Sequence, residues 1–306
     1  MFRFVTGRAL QSLACLLVVS FVVFYAARLT GDPTVLMLSE MATKEDAARL
    51  RTQLGLDQSI PEQYRIFLVN AVRGDLGEST RYKRPVVEVL SARFPASLQL
   101  GCVAIVISLL IALPIGVYSA VKRGTMLDLL GRSFAVLGQS LPLFWLGLVL
   151  MLIFAVWLGV LPAAGRGTAA SFILPALTMG WATTPAIMRL TRSAMLEVLE
   201  SEYVKLARIK GLPEWKVIWK HALKNALLPV VTFSVLLFAE MIAGAIVTET
   251  VFAWPGVGQL LISSVGYRDF PMVQGTVLLL ATFFIFGNFA VDVLYAWLNP
   301  RMRYGR

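Results

Sequence analysis

The chain has 306 residues, of which 58% are hydrophobic and only 15% charged, far from the balance of a water-soluble domain of that length. A formal charge of +10 raises nucleic acid as a partner, but no basic stripe interleaves with aromatics on a polar domain, which excludes that class. Cys15 and Cys102 sit in apolar runs and read as small core residues, with neither a disulfide nor a cysteine metal site implied.

In chain order, uncharged runs long enough to cross a bilayer occur at 9–27, 94–121, 133–165, 167–188, 225–248 (broken by Glu240) and 270–291. The expected fold is an all-α polytopic membrane protein with six transmembrane helices. The first run follows Arg3 and Arg8 and is too long for a signal-peptide core, so it reads as a retained helix. Pro114, Pro142, Pro175 and Pro185 fall within spans and predict kinks.

Orientation follows from the cations of the short loops. With the N-terminus inside, the inner segments hold Arg3, Arg8, Lys122, Arg123 and Arg132, eight more cations between Arg189 and Lys224, and Arg301, Arg303 and Arg306. The two short outer loops hold only Arg166 and Arg268. Both termini are therefore expected in the cytoplasm. The division into parts is 1–29 (tail and first helix), 30–93 (a helical insertion outside the membrane) and 94–306 (a five-helix core with a cytoplasmic loop at 189–228). Within the insertion, helices are expected near 44–54 and 60–72, the second opened by a capping box from Ser59 to Glu62, with a Gly-rich turn at 73–77. Its role is left open between a cap that meets a soluble protein and a packing domain over the bundle. Around 251–271, Trp254-Pro255-Gly256 makes a turn, and Val257, Leu260, Leu261 and Val265 give a short amphipathic helix.

The longest polar interruption of the second half is 202–229, EYVKLARIKGLPEWKVIWKHALKNALLP. Leu196, Leu199, Tyr203 and Leu206 recur at helical spacing before Gly211, as do Trp215, Ile218, Trp219 and Ala222 after it. Gly211 is a natural stop for the first helix, and Pro213 fits the first turn of the next. The pattern predicts two short amphipathic helices with a tight corner between them.

EYVKLARIKGL followed by HALKNALLPVVT resembles the cytoplasmic signature loop of permease subunits in ATP-binding-cassette importers, in the branch that handles dipeptides, oligopeptides, nickel complexes or glutathione. Ala207 and Gly211 fall on the Ala and Gly of that loop. Lys205 stands where the general signature has Glu, and Leu223-Lys224 where it has Leu-Pro, which comes later here at Leu228-Pro229; the peptide-type branch shares that departure. Gly31-Asp32-Pro33, the stretches 53–57 and 74–77, FAWPGVGQLL, RDFPMVQG and the closing VDVLYAWLNPRMR also look like this family. The resemblance implies that Glu202, Tyr203, Ala207, Lys210, Gly211, Leu212, Trp215, His221 and Asn225 form a loop gripped by an ATPase. It also implies a paralogous permease, two cytosolic ATPases carrying ATP and Mg, an extracytoplasmic substrate-binding protein and a bacterial inner-membrane location. No cofactor is expected on this chain.

Two acids within the spans need a reason to be there, because an ionised carboxylate at the bilayer centre costs roughly 3 kcal/mol even on permissive insertion scales. Glu240, read as lying near the middle of the fifth span, either lines a pathway and meets a cationic substrate or bonds to a neighbouring helix. Asp292, near the inner end of the sixth, is expected to pair with Arg189 or Arg192. Enzyme chemistry lacks its parts: there is no G-x-x-x-x-G-K-[ST] loop, no H-E-x-x-H, and the single His221 excludes a multi-histidine metal site. The alternative is a self-contained secondary transporter with Glu240 as its coupling carboxylate, for which no internal repeat is visible.

Overall fold

The computed structural model describes residues 2–29 and 57–298, with the single positions 43, 45, 49 and 52 between them. Of the helix expected near 44–54 only positions 45, 49 and 52 are described, and all three are helical. In chain order the helices are α1 (Phe2–Leu29), α2 (Ile60–Val72), α3 (Val86–Val121), α4 (Met126–Ser140), α5 (Leu143–Met151, continued as a π-helix over Leu152–Trp157) and α6 (Ile173–Leu199). They continue with α7 (Glu202–Ile209), α8 (Glu214–Ala243, widened to a π turn over Val217–Ala222), α9 (Ile246–Val251), α10 (Val257–Gly266) and α11 (Phe270–Leu298).

Four of these are long and apolar enough to cross a bilayer: Val5–Arg28 of α1, α3, α8, and Phe270–Val293 of α11; a fifth is added if α4 and α5 count as one broken span. The six expected spans are therefore not reached among the described residues. The shortfall is α6, which covers the run expected at 167–188 but buries Thr178, Gly180, Thr183, Thr184 and Thr191. A helix enclosed by protein needs few oily side chains, so its sequence falls short of a lipid-facing one. The run at 133–165 is broken instead of continuous. Leu141 is extended ahead of Pro142, as a residue before proline prefers, and α4 and α5 meet at 100°. Pro114 and Pro185 stay inside helices, and Pro175 occupies the first turn of α6, where its missing N–H has no intrahelical partner to lose.

The chain packs as two compact units, Met1–Ser97 with Pro255–Phe289, and Leu98–Trp254 with Ala290–Arg306. In the first, α2 lies on α1 through rings: Tyr64 meets Phe21 and Phe24 at centroid distances of 5.3 Å, and Phe67 meets Phe24 at 5.5 Å. Arg28 Nε donates to Gln63 Oε1 at 2.9 Å beside this cluster. The capping box is not formed. Ser59 makes no side-chain cap, and Glu62 turns to Arg65, whose hydrogen bond holds its carboxyl below the ordinary value. Gly74 and Gly77 take φ of +82° and +83°, which makes the predicted turn a glycine requirement.

Asp269, fully buried, was not singled out by the sequence reading. It accepts from the Ser79 hydroxyl, from the Thr80 and Arg81 amides at 3.2 and 3.3 Å, and from the Met272 amide at 3.3 Å at the start of α11. One carboxylate thus caps a helix and fixes the loop 79–81.

In the second unit α6 is central, packed against α4, α5 and α8. Its close approach to α3 rests on small residues. A Cβ added to Gly180 would stand 2.6 Å from the Ala104 carbonyl oxygen, and one added to Gly116 would stand 2.8 Å from that of Met188. Across the same seam the Thr183 and Thr184 hydroxyls lie 3.0 and 3.1 Å from Ser108 Oγ. Such hydroxyl contacts hold helices together where lipid offers no hydrophobic drive. Both cysteines, expected as core residues, are instead exposed on helix surfaces and free. A small apolar thiol is as acceptable against lipid as in a core, so the apolar run did not decide between them.

Candidate functional site

The corner at 199–226 is built as the glycine signal required. Lys210 caps α7, Gly211 follows at φ +76°, the Gly211 amide donates to the Arg208 carbonyl at 2.9 Å, and the Leu212 amide donates to the Ala207 carbonyl at 3.3 Å. This double closure is a Schellman motif, and Leu212 packs on the cluster that contains Ala207, as that motif's apolar contact demands. Pro213 precedes the helix as its cap, one position earlier than expected, and Glu214 is the first helical residue. Arg208 spans the corner to Glu214, with Nη2–Oε1 at 2.8 Å and Nε–Oε2 at 3.3 Å, which raises the pKa of the guanidinium above its ordinary value.

Beneath the corner, Val204, Ala207, Val217, Ala222, Leu223 and Ala226 bury against Val117 and Ala120 of α3 and Ala194 and Met195 of α6. Of the apolar residues spaced along the corner in the sequence, Ala222 is buried and Leu196, Leu199 and Ile218 pack against this cluster. Tyr203, Leu206, Trp215 and Trp219 point outward, as does Ile209, which is 80% exposed. The outcome is an apolar surface of Tyr203, Leu206, Ile209 and Trp215, the last 62% exposed. Glu202 and Lys205 pair at 2.8 Å on its rim, and Lys216 Nζ lies 5.5 Å from the Trp215 ring centroid. Lys210, Lys220 and Lys224 are exposed. His221 is half-buried in the π turn, and its carbonyl accepts from Asn225 Nδ2 at 2.9 Å. Wide turns of this kind are frequent at functional sites.

The arginines expected to meet Asp292 have other partners. Arg192 donates from Nε and Nη2 to the two oxygens of Asp128, at 2.8 and 3.0 Å, and Arg189 donates to Gln139 Oε1 at 2.6 Å. Asp128 is buried and also accepts from Ser119 Oγ at 2.6 Å and the Gly124 amide at 3.1 Å. It thereby joins α3, α4 and α6 just above the corner. The turn 122–125 delivers it there, and Thr125 three residues before Asp128 was the overlooked cue to a helix start.

Glu240 is not mid-helix. It stands in the last turn of α8, its carbonyl accepting from the Gly244 amide at 2.8 Å, and α9 begins at Ile246 beyond the break. It lines a cavity of about 220 Å³ with Leu143, Met179, Thr183, Met241 and Thr248. Among the described residues, no group of three or more His, Cys, Asp or Glu side chains is placed to hold a metal.

Comparison with known proteins identifies the family. Residues 112–304 match the family of binding-protein-dependent transport system inner membrane components, and 1–101 match the N-terminal region of such membrane components. The chain is 42% identical over 305 residues to the glutathione transport system permease protein GsiC of Salmonella paratyphi A, covering 99% of this chain and 100% of that one. It is 38% identical over 306 residues to the dipeptide transport system permease protein DppB of Escherichia coli K12, covering 90% of each. Among solved structures, an inward-facing conformation of the MetNI methionine ABC transporter shares the fold, at a TM-score of 0.57 and 20% identity over 69% of this chain and 96% of that one. Matched nearly from end to end, the chain belongs to the inner membrane components of binding-protein-dependent transport systems.

Proposed function

We propose that this chain is the permease subunit of an ATP-driven importer of dipeptides, oligopeptides or glutathione-like solutes, and that the corner at 207–219 is where a cytosolic ATPase docks. The observation that carries the reading is the surface of Tyr203, Leu206, Ile209 and Trp215, left exposed on a corner whose inner face is tightly buried. An exposed apolar patch with a polar rim is what a partner covers. Lys210, Lys216, Lys220 and Lys224 support a cytoplasmic placement by the distribution of cations. The names of the relatives support the solute class.

In this mechanism the ATPase pair, carrying ATP and Mg, closes and pushes on the corner. Because Val204, Ala207, Val217 and Ala222 are packed on the ends of α3 and α6, the push moves those helices as a body and alternates access. A paralogous permease and an extracytoplasmic binding protein complete the system. The test is ATP-dependent uptake by the whole complex carrying Gly211→Val. A Cβ there meets nothing within 4 Å, so the damage is conformational: a branched residue at φ +76° strains the corner by about 1–2 kcal/mol and lowers the ratio of docking to other shapes roughly 5–30-fold. Uptake is expected to fall by up to that factor at normal membrane levels. Gly159→Val, at φ +62° in another loop with equal space around it, serves as the control for strain alone. Equal uptake by the Gly211 variant and wild type would remove the coupling role.

A further inference from the structure

We infer that Glu240 forms a transit site for an ammonium group of the transported solute. The inference rests on the permease reading above. Its carboxylate has no hydrogen bond and no ion pair among the described residues, and it is exposed. Among the described residues no lysine, arginine or histidine lines the cavity it occupies; the remaining walls are Leu143, Met179, Met241 and other apolar residues, with the hydroxyls of Thr183 and Thr248. At 1.5 Å per residue it lies about 22 Å along α8 beyond Asn225, well inside a hydrocarbon layer of about 30 Å if the polar corner marks one boundary.

Position sharpens the charge preference. Glu240 is in the final turn of α8, where the helix presents its negative end, before the break at Gly244. A carboxylate there repels the helix terminus and gains nothing from its own chain. A cation relieves both at once, and interrupted helices in transporters place binding sites at such ends.

Volume decides how much of the solute is held. At about 220 Å³ the cavity is smaller than the roughly 300–1,000 Å³ of sites that enclose a whole small molecule. It accommodates the ammonium end of a peptide and leaves the remainder in the passage. Dipeptides and glutathione both carry such a group.

The test is uptake of radiolabelled glycylglycine and glutathione by cells that express the complete transporter and no other route for either. Rates are normalised to the permease present in the membrane, and Glu240→Gln and Glu240→Asp are compared with the wild type. Glu240→Gln is expected to lower the maximal rate about tenfold, with half-saturation held where the binding protein sets it. Glu240→Asp, which keeps the charge, is expected to retain most of the rate. A wild-type rate in Glu240→Gln would overturn the site while leaving the importer reading intact. Loss of the second permease from purified Glu240→Gln complex would also overturn it, by assigning the carboxylate to a contact between subunits. Failure of the wild type to take up either probe would overturn the solute class on which the inference rests.

Discussion

Asp128→Ala is expected to lower the unfolding temperature of the detergent-solubilised protein by roughly 6 °C or more. The substitution removes the acceptor for both arms of Arg192, for Ser119 Oγ and for the Gly124 amide in one step. Breaking a buried ion pair from one side costs about 3–5 kcal/mol, because the surviving charge is left without compensation. Arg192 keeps 21% of its side chain exposed, so some of its charge is solvated and the lower end of that range applies. For large domains each kcal/mol moves the midpoint by about 2–4 °C, which gives the stated shift. The double variant Asp128→Leu with Arg192→Met should recover most of the loss, since an apolar pair of similar volume has no charge to strand. Thermal melts monitored by tryptophan fluorescence measure all three proteins. An Asp128→Ala midpoint within 1–2 °C of wild type would show that the pair contributes little.

The second large effect is steric. Gly180→Leu should prevent stable accumulation in the membrane, and Gly180→Ala should cost about 1–3 kcal/mol by overpacking. The first added carbon would stand 2.6 Å from the Ala104 carbonyl oxygen, a backbone atom that cannot rotate away. Helices α3 and α6 would have to separate, which also opens the contacts of Thr183 and Thr184 with Ser108. Gly7→Ala is the comparison: nothing lies within 4 Å of its added carbon, and in a helix alanine is favoured over glycine by up to about 1 kcal/mol. Membrane levels and melting midpoints of the three variants test the claim. Equal stability of Gly180→Ala and wild type would mean that the seam between α3 and α6 is looser than the geometry requires.

These two positions also show where sequence reading reaches its limit. Composition identified a membrane protein, and Gly211 marked the corner, because a residue that must take positive φ after a helix leaves a local signature. The bond between Asp128 and Arg192 has no such signature. The two residues are far apart in sequence, and which arginine meets which acid depends on how α4 turns back after Gly124. The helix over the fourth expected run is not among those apolar enough to count as a span, for a related reason. The buried threonines of α6 donate to carbonyls of their own helix, and Thr183 and Thr184 also reach Ser108 of α3, so hydropathy measured residue by residue understates how deeply it is enclosed. On α7 the spacing of Tyr203 and Leu206 and that of Val204 and Ala207 fit a helix equally well. Spacing alone does not choose between them, and packing buries the second pair. Tyr203 and Leu206, left outward with Ile209, belong to the surface proposed for docking.

The most direct test of that surface is co-purification. The tagged permease, expressed with its transport partners, is isolated in mild detergent as wild type and as the double variant Leu206→Glu with Ile209→Glu. Both side chains are exposed, so the fold should hold within about 0.5 kcal/mol per substitution. The docking reading predicts that an ATPase with a G-x-x-x-x-G-K-[ST] loop accompanies the wild type and is lost at least tenfold from the variant, while the partner permease remains. Recovery of the ATPase in equal yield with both proteins would contradict it and move the contact away from this corner.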